Sequence, residues 1–207
     1  MDSIPYSRQS INEDDIAMVT DTMSSDFLTQ GPKINEFERA IESELGVKYA
    51  VTCSSGTAAL HLAYSAAGIN SDSLGIVPAI TFVATANALR YLGAKVRICD
   101  VDPKTGLICP DALELEIQKA DKSLNSGINL IAPVSFAGRV APLRVCAEIG
   151  QKKNFTVIED ASHSPGAWTE NPMGFWESNV STCSPGMPIA VSLQRYSSRI
   201  AAIQSEH

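Results

Sequence analysis

LGIVPAITFVATANALRYLGAKVRIC, residues 74–99, is the stretch that decides the fold class. Its apolar residues 75–77 predict a short buried strand, and residues 82–92 predict a helix. Residues 95–99 predict a second strand of the same kind. A strand, a helix of about a dozen residues and another strand are typical of a parallel βαβ unit.

The same alternation continues on both sides of this unit. Upstream, residues 11–24 and 33–45 predict two amphipathic helices, and residues 48–53 predict a short buried strand. The other predicted helices cover residues 56–68, 110–120 and 141–153, and the other predicted strands cover residues 128–134 and 155–159. We therefore expect an α/β fold with a mostly parallel sheet between two layers of helices.

Composition limits the function classes. The chain has 207 residues, is 44% hydrophobic and carries a formal net charge of −7, which is typical of a globular protein with one sizeable core. Its acidic pI of about 4.9 argues against broad contact with nucleic acid or anionic membranes. We expect no membrane helix and, from the start MDSIPYSRQS, no secretory signal. The five scattered cysteines form no CxxC pair, so we expect no metal site, no disulfide framework and a cytoplasmic location.

The alternating pattern fails after about residue 170. Residues 170–207 contain no lysine and only five charged side chains. We expect one domain over residues 1–169 and an irregular tail over residues 170–207. One interpretation is an ordinary C-terminal extension, and the other is that the tail does not belong to the fold encoded before it.

A turn of small residues precedes the predicted helix 56–68. Residues 54–60 read SSGTAAL, so backbone amides and the positive end of the helix dipole can meet an anion there, with phosphate as the natural ligand. The alternative is a plain Ser/Thr N-cap before an apolar helix. The GxGxxG and GxxxxGK[ST] motifs are both absent, so no motif supports a Rossmann-type NAD enzyme or a P-loop protein.

Two further patterns concern a flat ligand. VIEDASH, residues 157–163, places two acids and a histidine at the carboxyl end of a predicted parallel strand, where open α/β sheets bind ligands. The alternative is a helix-capping acid with a structural histidine. Phe82 follows another strand end and can lie over a ring, although a core position in the 82–92 helix is the alternative. A phosphate cradle, a stacking aromatic and an acid for a ring nitrogen make up most of a pyridoxal phosphate (PLP) site.

Seven blocks in this order resemble the DegT/DnrJ/EryC1/StrS family of PLP-dependent sugar aminotransferases, which have fold type I. The blocks run from about Ile4 to Trp168: IPYSRQSI, DFLTQGPKINEFE, VKYAVTCSSGTAALHLA, VPAITFVATANALRYLGAKV, CDVDPKTGLI, LIAPVSFAG and FTVIEDASHSPGAW. The resemblance implies a partial large domain, a homodimer in the full-length family, and amination of a UDP-linked 4-keto-6-deoxy-N-acetylhexosamine by glutamate, in pseudaminic acid biosynthesis.

The resemblance also implies roles for single residues. Asp160 would ion-pair with the ring nitrogen of PLP, Phe82 would stack on the ring, and His163 would lie near its 3-hydroxyl. The residues that would hold the cofactor phosphate are Gly56, Thr57 and Ala58. The residues that would touch the sugar nucleotide are Tyr6, Leu28, Thr29, Gln30 and Gly31.

The sequence departs from the family in one catalytic residue. The family pattern has a Ser-Phe-His-Pro-x-Lys-like segment after EDASH, and its Schiff-base lysine moves the proton. Here the last lysine is Lys153, upstream of Asp160. We therefore expect the truncated chain to have no catalytic residue and negligible transamination.

Two alternatives remain open at this point. The chain can be a non-catalytic fragment that binds PLP or a nucleotide sugar, or that pairs with a full-length homologue. It can also fail to fold by itself, because the resemblance places missing late strands between the first strand and the others, which leaves apolar edges. A frameshift near residue 170 or a truncated gene would account for the tail.

Overall fold

The computed structural model describes residues 10–45, 47–120 and 127–164, and the backbone of residues 168–170, 176–178 and 189–190. The chain divides into two compact units, residues 1–52 with 193–207, and residues 53–192. Within the described ranges no helix is long and apolar enough to cross a membrane. The predicted domain boundary near residue 170 stays a prediction.

The first unit contains helices α1 (Glu13–Met23) and α2 (Pro32–Leu45), which confirms both predicted helices. A capping box starts α1: the Asp15 N–H donates to the Asn12 side chain at 2.9 Å, and the Asn12 N–H donates to the Asp15 carboxylate at 3.0 Å. The apolar side chains on which the prediction of α1 rests are exposed, and the residue that the helix buries is Asp15.

The strand predicted over residues 48–53 is wrong, since the segment belongs to no strand. Carboxylates of α2 accept its backbone N–H groups instead: Ala50 donates to Glu42 at 3.0 Å and Thr52 donates to Glu38 at 2.8 Å. Alternating apolar residues predict a strand only where another strand offers a ladder. Within the described part of the chain, none pairs with this segment.

The second unit alternates helices and strands as predicted. In chain order its elements are α3 (Gly56–Ala66), β1 (Leu74–Pro78), α4 (Val83–Tyr91), β2 (Lys95–Cys99), α5 (Pro110–Ala120), β3 (Asn129–Ile131), α6 (Leu143–Lys153), β4 (Phe155–Val157), β5 (Glu159–Asp160), β6 (Trp168–Glu170), β7 (Trp176–Ser178) and β8 (Ile189–Ala190). The predicted strand 128–134 is shorter than expected, and an isolated parallel bridge joins Val134 to Asp160 beyond it. The predicted strand 155–159 is split into β4 and β5.

The main sheet has the order β2-β1-β3-β4, and every neighbouring pair is parallel. Two smaller pairs accompany it, β5 with β8 in parallel and β6 with β7 antiparallel. This topology confirms the predicted α/β class, because parallel neighbours need helical crossovers between them.

Successive residues of the strands point to opposite faces of the sheet, and both faces of β1 and β3 are buried. On one face Val77, Leu130 and Ile158 pack with α3 and α4. On the other face Ile76, Ile131 and Val157 pack with α5 and α6. The sheet is therefore sandwiched between helices, and its carboxyl edge is the surface that remains for a ligand.

Candidate functional site

Asp160 lies just beyond the carboxyl end of β4. Its N–H donates to the carbonyl of Pro133 at 2.9 Å, and the Ser135 N–H donates to the Asp160 carbonyl at 3.1 Å. These bonds continue the pairing of the β3 and β4 segments past the strands themselves. The residue is only 3% exposed. The backbone therefore fixes a buried carboxylate at the edge where open parallel sheets bind ligands.

Both oxygens of the Asp160 carboxylate accept hydrogen bonds from hydroxyl groups. The Thr85 hydroxyl donates to Oδ2 at 2.7 Å. The Ser162 hydroxyl donates to Oδ1 at 2.6 Å, and the Ser162 N–H donates to the same oxygen at 3.2 Å. An ionised carboxylate only accepts and has about four lone-pair sites, so three donors leave room for one more. A protonated ring nitrogen of a ligand can supply that donor.

Phe82 immediately precedes α4 and occupies its N-cap position without a side-chain cap. Its side chain is 69% exposed. The alternative of a core aromatic in the 82–92 helix is therefore wrong. Thr85, three residues further on, is fully buried against Asp160, so the beginning of α4 presents one open aromatic ring and one buried hydroxyl.

The first turn of α3 contains Gly56, Thr57 and Ala58. Ser55 caps the helix, because its side chain accepts the Ala58 N–H at 3.2 Å. The plain N-cap is thus present, and it does not use the amides of Gly56 and Thr57. These two N–H groups lie in the first turn of the helix, where no earlier helical carbonyl can accept them. The same turn therefore still offers N–H groups and a positive dipole end to an anion.

Tyr64 connects α3 to α4 next to Asp160. Its buried hydroxyl donates to the Thr85 carbonyl at 3.4 Å. Burial, and to a smaller extent the nearby Asp160 charge, raises the pKa of Tyr64 far above its ordinary value of 10.0. The phenol therefore stays neutral and remains a donor. Helix α3, which begins at the anion turn, is in this way attached to helix α4, whose Thr85 hydroxyl donates to Asp160.

His163 follows Asp160 by three residues and is half-buried. Its ring packs on Phe136, with centroids 5.4 Å apart and the planes tilted by 45°. The other acid of the EDASH block has a different environment: Glu159 is fully buried and accepts a bond from the Ser135 hydroxyl. Ser135 in turn accepts the Ala141 N–H at 3.0 Å. Glu159 therefore braces the loop after β3, and Asp160 is the acid that borders the ligand edge.

The predicted sugar-nucleotide residues lie in the first unit. Leu28, Thr29, Gln30 and Gly31 form the loop between α1 and α2, where Leu28 is 70% exposed and Gln30 has a positive φ of 54°. Tyr6 lies outside the described residues. The structure therefore adds the conformation of the loop, and the substrate roles stay predictions.

Sequence reasoning missed the residues that hold the functional side chains in place. Thr85 and Ser162 fix the Asp160 carboxylate, and Phe136 packs on His163. The available signal for Thr85 was a second hydroxyl four residues after Thr81, which places both on one side of the start of α4. No comparable sequence signal identifies Phe136.

The arrangement fits a flat, phosphorylated ring with a basic nitrogen. The α3 turn suits the phosphate, the open Phe82 suits the ring face, and Asp160 has acceptor capacity left for the nitrogen. Within the described residues no group of three or more His, Cys, Asp or Glu side chains could hold a metal ion.

Comparisons with known proteins identify the family of the chain. The family model of the DegT/DnrJ/EryC1/StrS aminotransferases matches residues 9–184. A curated relative from Campylobacter jejuni serotype O:2, a UDP-4-amino-4,6-dideoxy-N-acetyl-beta-L-altrosamine transaminase, is 38% identical over 164 residues, which is 79% of this chain and 42% of the relative. The chain therefore spans about two fifths of the length of this relative.

Solved structures share the fold. Helicobacter pylori PseC, an aminotransferase involved in the biosynthesis of pseudoaminic acid, is 28% identical with a TM-score of 0.68, over 81% of this chain and 43% of that one. Spr1654 from Streptococcus pneumoniae in its PLP form is 26% identical with a TM-score of 0.70, over 79% of this chain and 44% of that one. Because the family model covers most of the 207 residues, the chain belongs to the DegT/DnrJ/EryC1/StrS aminotransferase family.

Proposed function

We propose that this chain carries the PLP-binding part of a nucleotide-sugar aminotransferase. The observation that carries the proposal is the buried Asp160 carboxylate, held by two hydroxyl groups at the carboxyl edge of the parallel sheet. An acid in this position suits a protonated pyridine nitrogen, because one acceptor site remains and a charged donor gives the stronger bond. It suits a metal less, because no metal-binding cluster lies among the described residues.

PLP, when bound, supplies the electron-accepting ring on which amino-group transfer depends. In the proposal Asp160 keeps the ring nitrogen protonated, and Phe82 covers one ring face. The turn of Gly56, Thr57 and Ala58 holds the phosphate through the amides of Gly56 and Thr57, because the Ala58 N–H already donates to Ser55. His163 approaches the 3-hydroxyl. Phe136, on which the His163 ring packs, limits how far that imidazole can turn.

The substrate that we propose is a UDP-linked 4-keto-6-deoxy-N-acetylhexosamine, with glutamate as amino donor. The support is the name of the Campylobacter relative, a transaminase of a UDP-linked amino-dideoxy sugar, and the presence of H. pylori PseC among the structural neighbours. In this proposal Tyr6 and the loop residues Leu28, Thr29, Gln30 and Gly31 contact the nucleotide sugar. A homodimer and a cytoplasmic location remain expectations that accompany the family.

We further propose that the 207 residues alone do not catalyse transamination. No lysine follows Asp160, so the base that the family uses to move the proton is not among them. The expected behaviour is PLP binding without turnover of a UDP-4-keto sugar and glutamate. Measurable amino transfer by the purified chain contradicts this part of the proposal.

Titration with PLP tests the binding part. Asp160→Asn keeps the shape of the side chain and removes its charge, so we expect PLP affinity to fall by about tenfold or more. Asp72→Asn is the matched control, because Asp72 is exposed in the turn before β1. Equal PLP affinity for both variants and the unmodified chain contradicts the assignment of Asp160, and no PLP binding by any of them contradicts the proposed function.

A further inference from the structure

Two threonine hydroxyl groups lie behind the Asp160 carboxylate. Thr85 Oγ1 lies 2.7 Å from Asp160 Oδ2, 2.7 Å from Thr81 Oγ1 and 3.1 Å from the Phe82 carbonyl oxygen. Thr85 is fully buried, and Asp160 is nearly so. Three polar partners around one buried hydroxyl need an explanation, because a threonine has a single proton to donate.

The direction of these hydrogen bonds follows from the chemistry of the partners. A carboxylate can only accept, and its bonds to neutral donors are charge-assisted, so the Thr85 proton points to Asp160. Thr85 Oγ1 then accepts the proton of Thr81, whose other acceptor, the Phe82 carbonyl, is more distant at 3.3 Å. The result is a chain of donors that runs from Thr81 through Thr85 to Asp160.

The chain of donors restrains the orientation of the carboxylate. Ser162 holds Oδ1 from the following turn, and Thr85 holds Oδ2 from the first turn of α4. Removal of either hydroxyl leaves one oxygen without its side-chain donor and the carboxyl plane free to rotate about χ2, a broad torsion for aspartate. Thr85 is β-branched and sits in a helix, so its own hydroxyl has few alternative positions.

We propose that Thr85, supported by Thr81, is a positioning residue that aims the Asp160 carboxylate at the ring nitrogen of PLP. This inference rests on the proposed function, in which Asp160 is the partner of that nitrogen. Thr85 touches neither the cofactor nor the substrate in this proposal, and it acts only through Asp160. The proposal predicts that loss of the Thr85 hydroxyl weakens the binding of a ligand that has the ring nitrogen. The binding of a ligand of the same shape that lacks this nitrogen should not be weakened.

The test compares PLP with 1-deazapyridoxal 5′-phosphate, in which a carbon replaces the ring nitrogen. Binding of both ligands is measured by titration calorimetry on the 207-residue chain and on Thr85→Val, Thr85→Ser, Thr81→Val and Tyr64→Phe. We expect Thr85→Val to weaken PLP by about tenfold, as for loss of a charge-assisted bond. The deaza ligand should change by no more than about twofold, because the pairwise coupling to the nitrogen is missing. Thr85→Ser should bind PLP about as tightly as the unmodified chain does. The PLP affinity of Thr81→Val should lie between those of Thr85→Ser and Thr85→Val.

Tyr64→Phe is the control for general damage, since it removes a bond to the Thr85 backbone and leaves the Thr85 hydroxyl in place. It should leave the ratio of the two affinities unchanged. Equal weakening of both ligands by Thr85→Val indicates a packing role and overturns the proposal, as does an unchanged PLP affinity.

A ligand-free crystal structure of Thr85→Val separates this proposal from the proposed function. If the unmodified chain binds neither ligand, the proposed function is wrong, and if it binds both equally, the pairing of Asp160 with the ring nitrogen is wrong. The positioning role is then decided by the structure alone: a rotated Asp160 carboxylate in Thr85→Val supports it, and an unchanged carboxylate overturns it. Thr85→Ser, which keeps the donor, should show the original orientation.

Discussion

The carboxylate of Glu38 accepts two hydrogen bonds from Thr52, one from the backbone N–H and one from the hydroxyl, each at 2.8 Å. The two residues are fourteen positions apart, and the bonds attach the extended segment after α2 to the helix. The backbone bond, followed by the hydroxyl bond, lowers the pKa of Glu38 from its ordinary value of 4.5. The attachment therefore depends on pH.

Because the pKa of Glu38 is lower in the folded chain, its stabilising effect is complete above pH 4.5 and is lost as the pH falls through the lowered pKa. We predict that the exchange protection of the Thr52 amide falls several-fold over that range, measured by NMR hydrogen exchange. Glu38→Gln should show weak protection at every pH. Glu44→Gln, on the exposed side of the same helix, is the control, and an identical pH profile for Glu38→Gln and the unmodified chain contradicts the prediction.

The buried thiols should be unreactive in the folded chain. Burial raises the pKa of Cys99 and of Cys146 to about 12. At pH 8 only about one such thiol in 10,000 is ionised, and the thiolate is the nucleophile. Cys53 is exposed, so iodoacetamide followed by peptide mapping should find Cys53 modified first and the two buried thiols modified only in denaturant. Equal labelling rates for Cys53 and Cys146 would contradict this assignment.

The same pKa values predict how stability changes at high pH. The unfolded thiols ionise near 9.0, and the folded ones near 12, so the folded chain loses stability as the pH rises through this interval. Cys146→Ala should reduce this loss. The measurement is the urea midpoint at pH 8 and pH 10, and an identical shift for the variant and the unmodified chain contradicts the prediction.

The sequence predicted the second unit well because strands such as β1 and β3 are buried and its helices are about three turns long. A buried strand is a short run of apolar residues, and a helix has a 3.6-residue period, so the two patterns are easy to separate. The segment at 48–53 was predicted as a short buried strand, but Tyr49 and Val51 are exposed and the N–H groups of Ala50 and Thr52 donate to glutamates. A short apolar run becomes a strand only where another strand pairs with it.

The residues of the candidate site were predictable from sequence motifs, but the residues that hold them in place were not. Asp160 and Phe82 are visible because each stands at the end of an apolar strand pattern. Thr85 is separated from Asp160 by 75 positions and meets it only because α4 packs on β1 and β2, in the same sheet as the β4 strand that leads to Asp160. Contacts of that kind depend on tertiary packing, for which a single sequence has no local signal.

The cap of α3 offers a stability prediction. The Ser55 side chain accepts the Ala58 N–H at 3.2 Å, so Ser55→Ala removes an N-cap and should cost about 1 kcal/mol in the free energy of unfolding. Ser54→Ala, at the exposed preceding position, is the matched control and should change it by less than about 0.5 kcal/mol. Urea unfolding of both variants measures the difference, and equal effects contradict the capping role.

Gly150 allows α6 to lie directly against β4. A Cβ at this position would stand 2.8 Å from the carbonyl oxygen of Phe155 and 2.8 Å from Cγ2 of Val157. Helix propensity alone favours alanine over glycine by about 1 kcal/mol, so an exposed helix position would be stabilised by the change. Here the backbone carbonyl belongs to the next strand and cannot move without disturbing the sheet. Gly150→Ala should therefore lower the free energy of unfolding by about 1–3 kcal/mol, as overpacked cores do.

The neighbouring exposed residue provides the control for this change. Gln151→Ala alters helix propensity on α6 without placing an atom against β4, so it should stay within about 0.5 kcal/mol of the unmodified chain. Denaturant midpoints at equal slope give both values. An unchanged or higher midpoint for Gly150→Ala means that α6 can move away from β4 at little cost, which contradicts the prediction.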